Sequence, residues 1–228
     1  MARFGIISAM PVELEGLIKE YDAKELTVKG FYKIYKGKIG ENEVFMACSG
    51  IGKVNAAACT QKLIDFYEVE YIVNMGIAGG IARELKTLDV VVGSEVFYHD
   101  FTPDRLLENY HPFTRMFKCD EKLIEAAKKV CEATPTVEHY FVDKIATGDC
   151  FVESAETKAK ILELGGRCCE MEGAAIGHVA YLNGVAFLII RSISDLADED
   201  AEISYEEFER KAAQQANRIV AGILKLLA

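Results

Sequence analysis

Short apolar segments alternate with amphipathic segments along most of this chain of 228 residues. Continuous apolar runs bounded by turn residues are typical of strands buried on both faces, whereas apolar positions that recur every three or four residues are typical of helices. The pattern predicts strands at 4–7, 31–37, 44–48, 71–75, 90–98, 138–147, 167–170 and 185–192, and helices at 11–20, 53–66, 120–132, 153–164, 171–183 and 204–227.

This alternation predicts an α/β fold, a three-layer α/β/α sandwich whose central sheet is mixed and is covered by helices on both faces. Segments 31–37 and 44–48 are separated by a short turn and predict a hairpin. No linker or repeat interrupts the pattern, so we expect residues 1–228 to form a single domain. Ligands of such sheets bind beyond the carboxyl ends of the strands.

Residues 99–118 lack clear periodicity and contain Pro103 and Pro112, which predicts a long loop. Loops of this length are usually functional or disordered. His99 and Asp100 stand at its start, whereas the other three histidines read as structural or surface residues.

Composition restricts the classes of function. The hydrophobic share is 50% and the charged share 27%, and no apolar run approaches the roughly 20 residues that span a bilayer. Residues 1–10 do not resemble a signal peptide, and a net charge of −10 disfavours nucleic acid as a partner. The seven cysteines have no CxxC pair or zinc-site spacing. We therefore expect a cytoplasmic protein with reduced thiols, no metal, no cofactor and no membrane or nucleic-acid partner.

Three acids, Glu13, Glu172 and Asp195, each follow an apolar strand at the point where a helix begins. Taken alone, each is explained by the preference for acids at helix starts, and Asp195 also by the acidic run 195–200. If the three strand ends lie on one rim of the sheet, however, the carboxylates converge. That convergence predicts an active site.

Two glycine-rich segments, 49–53 and 76–80, follow strands and predict tight turns. Neither has the spacing of a Walker loop or of a dinucleotide fingerprint. The segment 147–152 ends another predicted strand and carries Phe151, which either belongs to the core or stacks on a flat ligand.

In this order, the segments resemble the purine nucleoside phosphorylase and uridine phosphorylase superfamily, and within it the bacterial 5′-methylthioadenosine/S-adenosylhomocysteine nucleosidases. The resemblance runs from residue 3 to about 227 and implies a nucleoside phosphorylase-like fold. Six segments carry it: Gly5-Ile6-Ile7-Ser8-Ala9-Met10, Ser49-Gly50-Ile51-Gly52-Lys53-Val54-Asn55-Ala56-Ala57, Asn74-Met75-Gly76-Ile77-Ala78-Gly79-Gly80, Thr147-Gly148-Asp149-Cys150-Phe151-Val152, Glu170-Met171-Glu172-Gly173-Ala174-Ala175 and Arg191-Ser192-Ile193-Ser194-Asp195.

The resemblance implies a hydrolase that splits the N-glycosidic bond of 5′-methylthioadenosine and S-adenosylhomocysteine, with 5′-deoxyadenosine as a further candidate substrate. It also implies a homodimer. It makes Glu13 the base that activates water and Asp195 the acid that protonates adenine. The remaining roles are substrate binding: Glu172 at the ribose hydroxyls, Met171 beside the sugar, Phe151 stacked on adenine, Val152 at the base edge, Met10, Ile51 and Gly79 in the pocket lining, and Ser194 beside Asp195.

Two positions bear on the nucleophile. Phosphorylases of the superfamily bind phosphate through arginines, one of them at the position of Asn74, so the resemblance favours water. Nucleosidases often carry a residue with a hydroxyl group at the position of Ile77, where the hydroxyl helps to hold the water or the sugar. Isoleucine has no hydroxyl and cannot take that role. The loop 99–118 also departs from the best-known members, and Phe101, Phe113 and Phe117 are candidates for covering a 5′-thioalkyl group.

Three other functions stay open on the sequence alone. A futalosine-type hydrolase would cleave the same bond in a substrate with a bulky 5′ group. A phosphate-dependent purine nucleoside phosphorylase would require phosphate. A non-catalytic nucleoside-binding relative would be expected to lose the acids that this chain retains.

Overall fold

The computed structural model describes residues 1–27, 30–196 and 201–228, with the side chains of the last range described from residue 208 onward. Its strands are β1 Arg3–Ser8, β2 Lys24–Leu26, β3 Ile34–Ile39, β4 Asn42–Cys48, β5 Tyr71–Gly80, β6 Val90–Tyr98, β7 Phe117–Lys118, β8 Tyr140–Thr147, β9 Gly166–Glu170 and β10 Ala186–Asp195. Its helices are α1 Pro11–Glu20, α2 Lys53–Tyr67, α3 Arg105–Asn109, α4 Glu121–Ala133, α5 Ala155–Glu163, α6 Gly173–Asn183 and α7 Ala201–Leu226.

These strands form one mixed sheet. Five of them pair in a closed circuit, in which β5 pairs with β10, β10 with β6, β6 with β8, β8 with β9, and β9 with β5 again. The other long strands extend from β5 as an open arm in the order β1, β4, β3, β2. Because β1, β5 and β10 run parallel, their carboxyl ends meet at one rim.

Helices cover the sheet in two groups: α1 and α4 pack against α7, and α2 packs against α6. The predicted α/β fold with a central mixed sheet between helices is confirmed. The core lies along the central strands, where Val73 of β5 and Leu188, Ile189 and Ile190 of β10 are fully buried. Among the helices in the described ranges, none has the length and apolar character needed to cross a bilayer.

The main correction concerns the glycines after residue 75. The sequence predicts a turn at 76–80, but β5 continues to Gly80 because β10 pairs with it from Tyr71 to Gly79. The predicted loop at 99–118 contains the short α3 and β7, and the edge strand β2 is an addition. The first hairpin strand begins at Ile34 rather than at 31.

Every cysteine lies within the described ranges, and all are free thiols. Most are buried, and burial raises the pKa of Cys59, Cys119 and Cys131 to about 12. These thiols therefore stay protonated near neutral pH.

Replacement of Gly177 tests how closely α6 approaches the sheet. A Cβ atom there would lie 2.8 Å from both Phe187 Cε2 and Val96 Cγ2, and both side chains are buried. We expect Gly177→Ala to lower the free energy of unfolding by about 1–2 kcal/mol, because the steric cost of overpacking exceeds the gain in helix propensity. Urea unfolding measures the change. A variant more stable than the wild type, as helix propensity alone would produce, would contradict the close packing.

Candidate active site

A cavity of about 460 Å³ opens at the rim where the carboxyl ends of β1, β5 and β10 meet. It is the place where the three acids come together. Nine of the predicted site residues line it: Met10, Glu13, Ile51, Gly79, Phe151, Met171, Glu172, Ser194 and Asp195. Val152 does not; it is buried and lines a smaller adjoining cavity that it shares with Gly79, Phe151, Met171 and Asp195.

Glu13 is held by the start of its own helix. It is the third residue of α1, and its Oε2 accepts hydrogen bonds from the backbone N–H of Met10 (2.8 Å) and Ala9 (3.0 Å) in a capping-box arrangement. Its Oε1 accepts a third bond from the N–H of Ile77 (3.1 Å). Burial raises the pKa of Glu13, and the backbone N–H groups and Arg191 partly oppose that rise. The carboxylate is thus fixed in position and more basic than an exposed glutamate.

Gly76 makes room for this carboxylate. A Cβ atom on Gly76 would lie only 2.5 Å from Glu13 Oε1, so any larger residue would displace the acid. The glycine motif therefore serves close approach rather than a turn. This explains why a strand buried in the sheet contains glycine at that position.

Glu172 is the residue immediately before the first turn of α6, and it is buried. Its Oε1 accepts a hydrogen bond of 2.7 Å from the N–H of Gly52, which precedes α2. Burial and the neighbouring charge of Glu170 raise the pKa of Glu172 to about 7. Near neutral pH, this carboxyl is therefore poised between its protonated and ionised forms.

Asp195 is the last residue of β10 and is 2% exposed. The register between β10 and β5 shifts between Ile193 and Asp195, a bulge of the kind that redirects side chains at strand ends. The hydroxyl of Ser194 donates to Asp195 Oδ2 at 2.7 Å. The acidic run that the sequence offered as another explanation for Asp195 continues into 197–200, which lie outside the described residues.

The rest of the lining is largely apolar. Phe151 is 52% exposed and Ile51 55%, so both present their side chains at the open side of the cavity. Ile77 takes the place where the family often has a hydroxyl, and it packs against Ala212 and Ala213 of α7. Among the described lining residues there is no lysine, arginine or histidine. Among all described residues, no group of three or more His, Cys, Asp or Glu could hold a metal ion.

The sequence reasoning missed an ion pair beneath the cavity. Arg191 of β10 forms a buried salt bridge with Glu170 at the end of β9, and its Nη2 also donates to Asn74 Oδ1 (2.5 Å). Glu170 Oε2 accepts the N–H groups of Gly173 (2.7 Å) and Glu172 (3.2 Å) at the start of α6. An arginine inside an apolar strand is the signal that points to such a pair, because arginine is rarely buried unless it is paired.

The three phenylalanines of the loop 99–118 that are candidates for covering a 5′ group differ in burial. Phe117 belongs to β7, is fully buried and stacks on His178 with ring centroids 4.5 Å apart, so the expectation that it offers surface to a ligand is wrong. Phe101 and Phe113 are 38% and 63% exposed. Neither is among the residues that line the cavity within this chain.

Comparison with known proteins shows the family to which this chain belongs. The family model described as the phosphorylase superfamily matches residues 3–225. A 5′-methylthioadenosine/S-adenosylhomocysteine nucleosidase from Exiguobacterium sp. (strain ATCC BAA-1283 / AT1b) is 37% identical over 230 residues, which cover 99% of this chain and 98% of the relative.

Solved structures of similar proteins have nearly the same fold. The Neisseria meningitidis 5′-methylthioadenosine/S-adenosylhomocysteine nucleosidase in complex with methylthio-immucillin-A has a TM-score of 0.92 at 34% identity, with 99% of this chain and 100% of that chain covered. The futalosine hydrolase of Helicobacter pylori strain 26695 has a TM-score of 0.90 at 28% identity, with coverages of 99% and 98%.

The raised pKa of Glu172 predicts how stability depends on pH. Between about pH 4.5 and pH 7 the folded chain retains a proton that the unfolded chain releases, so this carboxyl lowers the free energy of unfolding as pH rises through that window. Glu172→Gln removes the titration. We expect the stability of the variant relative to the wild type to increase by about 1–3 kcal/mol between about pH 5 and about pH 8.

Urea unfolding of both proteins at the two pH values measures this difference. A difference in stability that is the same at both pH values would show that Glu172 titrates alike in the folded and unfolded chains.

Proposed function

This chain belongs to the phosphorylase superfamily, and on that basis we propose that it is an N-glycosyl hydrolase of 5′-methylthioadenosine and S-adenosylhomocysteine. The products are adenine and the corresponding thioribose, and 5′-deoxyadenosine is a further candidate substrate. Both the 37% identical relative and the Neisseria meningitidis structure carry this activity in their names.

One observation carries the proposal: Glu13, Glu172 and Asp195 converge on a single cavity whose described lining includes no cationic side chain. Phosphate would need arginine or lysine partners there. The buried Arg191 does not serve, because its guanidinium is engaged by Glu170 and Asn74. Water is therefore the nucleophile that the site supports.

Asp195 is the group proposed to act on the base. Adenine is a poor leaving group as an anion, and protonation of a ring nitrogen lowers the barrier to its departure. Asp195 is buried beside Gly79 and receives the Ser194 hydroxyl, which fixes its orientation. In our proposal, Phe151 stacks on the adenine and the backbone of Val152 lies at the base edge.

Glu13 and Glu172 are the groups proposed to act at the sugar. As the glycosidic bond lengthens, the ribosyl group gains positive charge, which nearby carboxylates stabilise. Glu13, with its raised pKa, takes a proton from the attacking water, and Glu172 accepts hydrogen bonds from the ribose hydroxyls. Met171 lies beside the sugar, while Met10, Ile51 and Gly79 complete the lining.

A homodimer acting in the cytoplasm is part of the same proposal. Apolar side chains remain exposed on the paired helices α2 and α6, namely Val54 (80%), Phe66 (73%), Tyr181 (50%) and Leu182 (54%). Exposed apolar side chains on neighbouring helices are a feature of protein–protein interfaces. Free cysteines throughout the described chain suit a reducing compartment.

A second candidate function is hydrolysis of futalosine. The observation that favours it is the TM-score of 0.90 with the Helicobacter pylori futalosine hydrolase. Turnover measured side by side on futalosine, 5′-methylthioadenosine and S-adenosylhomocysteine distinguishes the two functions. A kcat/KM at least tenfold higher on futalosine would favour the second.

The catalytic assignment predicts release of adenine from 5′-methylthioadenosine in buffer free of phosphate, with no acceleration when phosphate is added. Because general acid and base groups each contribute about 10²–10⁴-fold, Asp195→Asn and Glu13→Gln should each lower kcat/KM by that factor. Chromatographic assay of adenine measures the rates. Glu125→Gln, on the exposed side of α4, is the control and should keep wild-type activity.

Strict dependence on phosphate would identify a phosphorylase. Full activity in both acid variants would refute the roles assigned to Glu13 and Asp195, and absence of adenine release from every nucleoside tested would leave a binding protein.

The oligomer proposal predicts that the chain sediments at twice its monomer mass. The double variant Val54→Lys/Leu182→Lys should sediment as a monomer, because it places two cations among the exposed apolar side chains of α2 and α6. Leu162→Lys is the matched control, since Leu162 is similarly exposed (46%) but lies on α5. Identical sedimentation of the double variant and the wild type would place any interface elsewhere.

A further inference from the structure

The segment that carries Phe151 has little regular structure of its own. Residues 148–153, called here the base segment, connect β8 to α5 and lie outside both elements. A stacking ring is useful only if the backbone that carries it is fixed, since a freely moving ring loses entropy on binding. The contacts that anchor this segment therefore matter for affinity.

Asp149 provides the main anchor. Its Oδ1 accepts a hydrogen bond from the backbone N–H of Lys53 at 2.9 Å, and its own N–H donates to Asp100 Oδ2 at 2.9 Å. Asp100 Oδ2 also accepts from Lys53 Nζ at 2.6 Å. Lys53, Asp100 and Asp149 thus form a closed cluster that joins the base segment to α2 and to the start of the loop 99–118.

This cluster supplies a hydrogen-bond acceptor at the start of α2. Gly52 precedes the helix and cannot cap it with a side chain, so the first N–H groups of α2 require outside acceptors. Asp149 takes the N–H of Lys53, and Glu172 takes the N–H of Gly52. A Cβ atom on Gly52 would lie 3.1 Å from Asp149 Oδ1, and the φ of +95° at Gly52 also favours glycine.

Gly148, at the beginning of the base segment, packs closely against His99. A Cβ atom on Gly148 would lie 2.2 Å from His99 Nε2, so this glycine allows direct contact between the segment and the ring. The backbone of His99 is itself fixed, because its N–H donates to Thr147 O at 3.0 Å and its carbonyl accepts from Lys160 Nζ at 2.6 Å. The residues beside Asp100 thus support the same segment.

We propose that Asp149 and Asp100 are positioning residues that hold Phe151 against the nucleobase and leave the sugar subsite to independent supports. The inference rests on the proposed nucleosidase function. When Asp149 is lost, Glu172 still accepts the Gly52 N–H and Glu170 still accepts the first N–H groups of α6, so the effect of that loss falls on the base alone.

The test compares the two halves of the substrate. Calorimetric titration with free adenine and with 5-methylthioribose gives one dissociation constant for each subsite. We expect Asp149→Ala to weaken adenine binding about tenfold, the loss of one hydrogen bond to a charged group, and to change 5-methylthioribose binding less than twofold. Asp149→Asn keeps an acceptor oxygen and should recover most of the affinity for adenine. Asp100→Asn should bind adenine about as tightly as Asp149→Asn does.

Glu125→Gln, which removes the charge of another ion pair but lies on α4, should leave both constants unchanged. In Asp149→Ala, KM for 5′-methylthioadenosine should rise more than kcat falls. Equal weakening of adenine and 5-methylthioribose would mean a general structural defect and would overturn the inference, as would adenine binding as tight as in the wild type.

The same experiment separates this inference from the proposed function. If the wild type releases no adenine from 5′-methylthioadenosine but the variants lose adenine affinity as stated, the function fails and the positioning role stands. If the wild type is active and Asp149→Ala binds adenine normally, the positioning role fails and the function stands. A wild type that binds no adenine would refute both.

Discussion

A buried ion pair between Glu170 and Arg191 connects the parts of the fold that meet at the cavity. Arg191 belongs to β10 and reaches Asn74 of β5, while Glu170 ends β9 and receives the Thr147 hydroxyl from β8. Glu170 also accepts the first N–H groups of α6, which place Glu172. Two charges without water must satisfy each other, and removal of one partner from such a pair typically costs about 3–5 kcal/mol. The positions of the neighbouring acids therefore depend on this pair.

The same pair defines what kind of chemistry the cavity can perform. A guanidinium stands behind the site, but it is committed to Glu170 and Asn74, so its charge tunes Glu13 and Glu172 without offering donors to an anion. Ile77 adds no hydroxyl, yet its backbone N–H holds Glu13. Glu13 and Glu172 are thus oriented mainly by backbone N–H groups, whereas Asp195 is oriented by the hydroxyl of Ser194.

Sequence periodicity was sufficient for the long elements and for the convergence of Glu13, Glu172 and Asp195, because each acid lies at or shortly after the carboxyl end of a predicted strand. It failed at Gly76–Gly80, where pairing with β10 keeps the chain extended and no local preference reveals that partner. It also missed Glu170 as a structural anchor, since the contact with Arg191 joins separate strands. For Val152, the position beside Phe151 in sequence did not show that its side chain turns into a neighbouring cavity.

The closed circuit of β5, β10, β6, β8 and β9 has a consequence for how the molecule is made. β10 sits between β5 and β6, although it is the last strand to be synthesised. Contacts between residues far apart in sequence form slowly, and domains fold only when their partners have emerged from the ribosome. The circuit therefore stays open until β10 has emerged from the ribosome. A nascent chain that contains Glu13 but not yet Asp195 would have neither the closed circuit of strands nor the complete cavity.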